Sequence, residues 1–247
     1  MNRNSTDEIG ILWRWRDLIL ILLGTFLFLV VGVVLFVTIE LIRGVKPEDL
    51  MQVSVAQTIW ITALEAIALT AGVYFFGLKR KGFGWDVVGL RSTSPYWYFI
   101  AIIATLVIIP IISLVTILVF YLIGEPLENP QLDFLLPEGL STLDALLMLI
   151  LAGFAAPFGE ELLFRGVLYR MFRERWGIWI GIFLSSLLFG IIHGNFAVAI
   201  TGFIIGVVAA IAFEYSRSLW TAIIIHAINN SLKIGLLYLL VKLGISI

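Results

Sequence analysis

The 247-residue chain has no cysteine, so disulfides and thiol catalysis are excluded. Charge is scarce. Only 13% of residues are Asp, Glu, Lys or Arg, against about 25% in soluble domains. The net charge is −1, which offers no footing for a nucleic-acid partner. Histidine occurs twice, as His193 and His226. The sequence lacks a Gly-x-Ser-x-Gly elbow, a Gly-x-Gly-Asp motif and a His-Glu-x-x-His motif, the usual markers of serine, aspartyl and many zinc hydrolases. There is no internal repeat and no low-complexity tract. No small-residue cleavage site follows the first apolar run, which therefore reads as a retained span.

What is present is apolar surface. Hydrophobic residues make up 61% of the chain. A span needs about 20 residues to cross roughly 30 Å of hydrocarbon. Seven stretches qualify, at Asp17–Ile42, Val55–Leu78, Tyr96–Ile123, Thr142–Phe164, Ile178–His193, Phe196–Glu214 and Leu219–Leu243. The fifth is short enough to lie buried among its neighbours. Backbone inside a bilayer must satisfy its own hydrogen bonds, so the spans are helices. The expected fold is all-α, a polytopic transmembrane bundle of about seven (six to eight) spans. It forms a single membrane domain over 1–247, divided into three N-terminal spans of unknown role (1–124) and a four-span catalytic core (142–243). Ser141-Thr-Leu-Asp144 reads as a capping box opening span four. Trp13, Trp15, Trp85, Tyr96, Trp97, Tyr98, Trp176 and Trp220 read as interfacial anchors.

Lys and Arg set the orientation. With the N-terminus inside, the inner segments hold Arg3, Arg14, Arg16, Lys79, Arg80, Lys81, Arg91, Arg165, Arg170, Arg173, Arg175 and Arg217. The other side keeps Arg43, Lys46, Lys233 and Lys242. The charged residues of the loop Glu125–Leu140 are all acidic and it holds three prolines, as suits an extracytoplasmic segment. The positive-inside rule thus predicts a cytoplasmic N-terminus in a multi-pass protein of the cell membrane.

Ionisable groups within spans point to function. Here they are Glu160, Glu161, Arg165, His193, His226 and Glu65. A lone buried histidine is more often structural, but two of them with a carboxylate pair reverse that preference. Trp176-Gly177 reads as a tight turn, and Glu160 lies as many residues before it as His193 lies after it. In an antiparallel hairpin both then sit on the order of 24 Å from the turn, at one depth, in a site reachable from the cytoplasmic half. Glu160 and Glu161 point about 100° apart. Glu161 and Arg165, at i,i+4, form a helical ion pair assigned to structural support, which leaves Glu160 to face a cavity. His226 and Asn230, also at i,i+4, present donors to a developing oxyanion, and Glu160 with His193 holds and deprotonates a water. The bland alternative is a solvated cluster of Glu160, Glu161 and Arg165 at a helix end. A catalytic zinc ion on Glu160, His193 and His226 is a further use of the same groups. No cofactor is favoured, and zinc stays open.

Three motifs resemble the CPBP family of intramembrane proteases, which takes in the CAAX prenyl endopeptidase Rce1 type and the Abi proteins. They are Glu160-Glu161-Leu-Leu-Phe-Arg165, Phe189-Gly-Ile-Ile-His193 and His226-Ala-Ile-Asn-Asn230, in family order across Ala152–Asn230. The resemblance implies an endopeptidase within the bilayer, acting on a membrane-embedded or lipid-anchored peptide. Glu160 would activate water with His193, and His226 with Asn230 would stabilise the oxyanion. The family has been described both as glutamate-dependent and as metal-dependent. Asn230 suits an oxyanion donor better than a zinc ligand. Two rivals remain: a non-catalytic immunity or scaffold protein that binds a peptide or partner, and a proton-coupled transporter using Glu65, Glu160 and His193.

Overall fold

A computed structural model describes residues 12–51, 54–124, 126 and 141–243. Arg3, and the acidic loop Glu125–Leu140 apart from Pro126, lie outside them. The described residues form seven main helices and no strand. These are α1 Trp15–Ile42, α2 Val55–Lys79, α3 Pro95–Ile123 and α4 Thr142–Trp176. They continue with α5 Ile178–Ile191, α6 Phe196–Ser216 and α7 Leu219–Lys242. Six are long and apolar enough to cross a bilayer. The exception is α5, whose 14 residues rise only about 21 Å. The chain is an integral, multi-pass membrane protein with a helical-bundle fold. Leu23, Phe26 and Leu27 of α1 and Leu114, Ile117 and Leu118 of α3 point outward, as lipid-facing residues do.

Local sequence explains the helix ends. Ser141 and Asp144 cap each other reciprocally at the start of α4. Gly177 takes φ +87° between α4 and α5, a conformation open to glycine, and so closes the expected hairpin. Helix α4 outlasts its apolar run and reaches the turn that the hairpin spacing marked. The fourth apolar run ends near Phe164, yet α4 continues to Trp176. The extension has good helix formers and packs along α5, so it stays helical without being apolar.

The helices assemble around α4. It packs against α2, α5 and α7, while α6 lies along both α5 and α7, and α3 covers α6 and α7. At Gly190 a Cβ would come within 2.6 Å of the Ala199 carbonyl oxygen, so glycine permits the close crossing of α5 and α6. The arginine-rich end is tied by polar clusters that sequence reading did not anticipate. Asp17 is paired with Arg80 and, at 2.9 Å, with Lys81, which fastens α1 to α2. Glu214 accepts two bonds from Arg173 and one from Tyr169, fastening α6 to α4. Trp13 is not an interfacial anchor. It is wholly buried, and its indole N–H donates to the Gly166 carbonyl at 3.1 Å. The reason is local: α4 is π-helical over Leu162–Tyr169, and such stretches disturb the regular carbonyl pairing.

Candidate active site

Glu160 and Glu161 sit midway along α4, between π-helical stretches at Leu151–Ala155 and Leu162–Tyr169. π-turns inside α-helices are rare and concentrate at functional sites. Glu161 and Arg165 are both fully buried and paired at 3.1 Å. The same Glu161 oxygen accepts the Nδ1–H of His226 at 3.0 Å. Glu161 is therefore more than a counter-ion for Arg165, because it also fixes the imidazole of α7. Sequence spacing gave the first contact and had no means of giving the second, which joins residues 65 positions apart.

His193 does not lie on a helix. Helix α5 ends at Ile191, and His193 stands in the turn that follows. Its Nδ1–H donates to the Phe189 carbonyl at 2.7 Å. A carbonyl and a carboxylate only accept, so both histidines are held through Nδ1 and keep Nε2 for other use. The Phe189 ring meets both imidazoles edge-to-face, with centroids 5.1 and 5.3 Å away. It also receives the Arg165 guanidinium at 4.7 Å. Phe189 is thus the apolar hub that positions three polar side chains.

Asn230 donates from its amide to the Ala152 carbonyl at 3.1 Å, within the first π-stretch of α4. Its oxygen accepts from Asn229 at 3.0 Å. One of its two N–H groups is left to point elsewhere. Asn229 is thereby part of this network.

Glu160, His193, His226 and Asn230 line one cavity of about 50 Å³, together with Phe189, Thr201, Gly202 and Lys233. One buried water needs roughly 10–15 Å³ on this measure, so the space takes a few waters and no bulky side chain. Among the described residues, no group hydrogen-bonds Glu160 Oε2. It stands 3.9 Å from His226 Nε2, beyond hydrogen-bond length. Glu65 on α2 lies within electrostatic reach of Glu160. Toward the arginine-rich end the interior is closed by Leu163, Phe164, Val167, Ile205 and Ile223, each at most 4% exposed. The polar wall runs the other way, past Asn230 to Lys233. Lys233 was counted among the charges of the opposite surface, but it belongs to this wall.

The zinc alternative can be tested on the donor set. Each histidine offers Nε2 while Nδ1 is held by a carbonyl or carboxylate, which is suitable chemistry. Among the described residues, however, no three His, Asp or Glu side chains are grouped to hold one ion. Glu160, His193 and His226 do not fit a zinc site in this arrangement.

A carboxylate, two imidazoles and an amide thus meet around a water-sized space inside a helical bundle. Residues 142–232 match the family described as Type II CAAX prenyl endopeptidase Rce1-like. An Escherichia coli protein, described as an uncharacterized 24.3 kDa protein, is 31% identical over 125 residues. The alignment covers 48% of this chain and 57% of that relative, so the chain spans little more than half of its length. No solved structure matches the chain.

Proposed function

We propose that this protein is a glutamate-dependent intramembrane endopeptidase that cuts a membrane-embedded or lipid-anchored, prenylated-type peptide. The observation that carries the reading is the convergence of Glu160, His193, His226 and Asn230 on one cavity, with Glu160 Oε2 left without a protein partner among the described residues. A buried carboxylate oxygen is costly unless something bonds it, and water is the fitting occupant. Glu160 and the Nε2 of His193 hold that water. As the oxygen attacks the scissile carbonyl, its proton passes to Glu160. The carbonyl oxygen then becomes an oxyanion, which receives the unused N–H of Asn230 and the Nε2–H of His226 in its imidazolium form. Glu161 supports that cation from the Nδ1 side. Glu160 returns the proton to the departing amine as the C–N bond breaks. The proposed catalytic unit is the four-helix part over 142–243, to which residues 1–124 add Glu65 beside the base.

Purified protein in detergent, freed of metal by prolonged treatment with a strong chelator, is expected to keep cutting a prenylated C-terminal peptide at one internal bond, read by mass spectrometry. Stoichiometric zinc, with activity lost on its removal and restored by adding it back, would overturn the metal-free mechanism.

The orientation is part of the same proposal. We place the N-terminus in the cytoplasm and the acidic loop outside, because Lys79, Arg80, Lys81, Arg91 and Arg217 gather at one end of the bundle. In this cysteine-free chain, an impermeant thiol reagent on intact cells is expected to label Asn129→Cys and to spare Ser5→Cys. The opposite pattern reverses the topology.

A further inference from the structure

A second cavity, of about 100 Å³, lies at the arginine-rich end of the bundle. Arg91 of the α2–α3 linker, Arg170 and Arg173 of α4 and Arg217 at the end of α6 line it, with Glu174 and Glu214 as its carboxylates. Four guanidinium groups thus face two carboxylates, an excess of two positive charges. Both carboxylates are already engaged. Glu214 receives Nε and Nη2 of Arg173 at 2.8 and 2.7 Å and the Tyr169 hydroxyl at 2.8 Å. Glu174 accepts the Leu12 backbone N–H at 2.9 Å. Arg170 rests on the Phe213 ring, 5.1 Å from its centroid. Its Nε is buried and makes no hydrogen bond among the described residues.

The walls are fixed by bonds of their own. The Gly89 carbonyl accepts the Leu219 N–H at 2.7 Å, Thr93 Oγ1 donates to the Ser216 carbonyl at 3.0 Å, and Arg91 Nε donates to the Arg217 carbonyl at 2.7 Å. Together they pin the linker to the α6–α7 turn. Arg217 sits in that turn at φ +60°, the one non-glycine residue with a positive φ among the described residues. Glycine or asparagine takes this conformation more cheaply, and backbone strain gathers at ligand clamps. The strained turn sets a guanidinium at the cavity rim. Converging guanidinium forks match the oxygens of a phosphate. One buried water needs roughly 10–15 Å³, so the space takes several waters or one tetrahedral phosphate. Helix α4 has left its apolar run by Phe164, so Arg170 and Arg173 stand where lipid headgroups begin. We propose that this cavity is a binding site for a phosphate group, carried by an anionic phospholipid headgroup or free in solution. It is separate from the catalytic cavity, since ten residues of α4, roughly 15 Å, lie between Arg170 and Glu160. A phosphate held there bridges α4, the α2–α3 linker and the end of α6, and braces the helix that carries Glu160.

The test uses delipidated full-length protein in an uncharged detergent and reads equilibrium binding and thermal melting. The probes are phosphatidylglycerol, diacylglycerol with the same acyl chains, and inorganic phosphate. They are compared on the wild type, Arg170→Gln and Arg217→Gly. The wild type is expected to prefer phosphatidylglycerol to diacylglycerol by about tenfold or more, and to melt higher with it, because a ligand of the folded state stabilises that state. Each substitution should weaken the phosphate-bearing ligand about fivefold, the effect of one basic residue near an anionic headgroup. Glycine suits the backbone at position 217, so Arg217→Gly keeps the fold and isolates the lost charge. Tight lipid binding with weak inorganic phosphate makes the headgroup the source. Inorganic phosphate bound as tightly as the lipid, with the same dependence on both arginines, supports the site and makes free phosphate the source. Equal binding of diacylglycerol and phosphatidylglycerol without inorganic phosphate binding, or phosphate binding unchanged in both variants, overturns the site. Binding that emerges only when Asp7→Asn and Glu8→Gln are combined assigns the cavity to the chain's own N-terminal acids and overturns it likewise.

Discussion

Glu160→Gln is expected to lower kcat by about 10²–10⁴-fold, the usual contribution of a general base, while the protein stays folded and its melting temperature holds or rises. The change is nearly isosteric, so the cavity keeps its volume. Among the described residues, no hydrogen bond to Oε2 is lost, because none is made. The stability side follows from charge. Glu160 stands within electrostatic reach of Glu65 and Glu161, and both carboxylates repel it. An uncharged amide removes that repulsion, and functional sites commonly hold such stability in reserve. KM should change little, since the peptide keeps its other contacts. Single-turnover cleavage and thermal melting of the purified variant check both halves. Turnover near the wild-type rate would remove Glu160 from the mechanism and leave the cavity without a base.

The second large effect is expected at the buried pair. Glu161→Ala and Arg165→Ala should each destabilise the protein by about 3–5 kcal/mol, because each strands a charge in a dry interior. Both groups are 0% exposed, and Arg165 rests on the Phe189 ring beneath the two histidines. Removing both charges together should be milder than the sum of the two losses. Activity should not follow stability. The double variant remains inactive, since His226 has lost the carboxylate that holds its Nδ1–H. Glu161→Gln, which keeps an accepting oxygen, is expected to recover part of the rate. A double variant that regains stability and also cuts peptide at the wild-type rate would confine Glu161 to structural support.

The spans were legible because a bilayer forces long apolar runs, and Glu160, His193 and His226 drew notice because ionisable groups stand out in such runs. The Glu161–Arg165 contact followed from i,i+4 spacing alone. The rest needed tertiary information. The bond from His226 to Glu161 joins α7 to α4, and no local pattern announces it. Lys233 reads as a surface anchor in any one-dimensional view, since a lysine late in an apolar helix commonly reaches the interface. Trp13 misled in the same way, because a tryptophan beside arginines looks interfacial whether it faces headgroups or the interior. Hydropathy marks only where a helix leaves the lipid, near Phe164, whereas the hairpin spacing carried the helix on to Trp176, where α4 ends twelve residues later.

The π-turns on either side of Glu160 carry a consequence of their own. Each residue added to a helix advances its azimuth by about 100°, and a π-turn accommodates such an addition without a break. Thr142, at the far end of α4, meets the Tyr238 hydroxyl at 2.7 Å, and Asn230 grips the Ala152 carbonyl in between. Both grips on α7 hold only if the outer turns of α4 keep their rotational phase relative to Glu160. The stretch Leu151–Ala155 therefore works as a vernier between a docked outer segment and a catalytic inner one. The direction in which the carboxylate points is written in the number of residues there as much as in their identity.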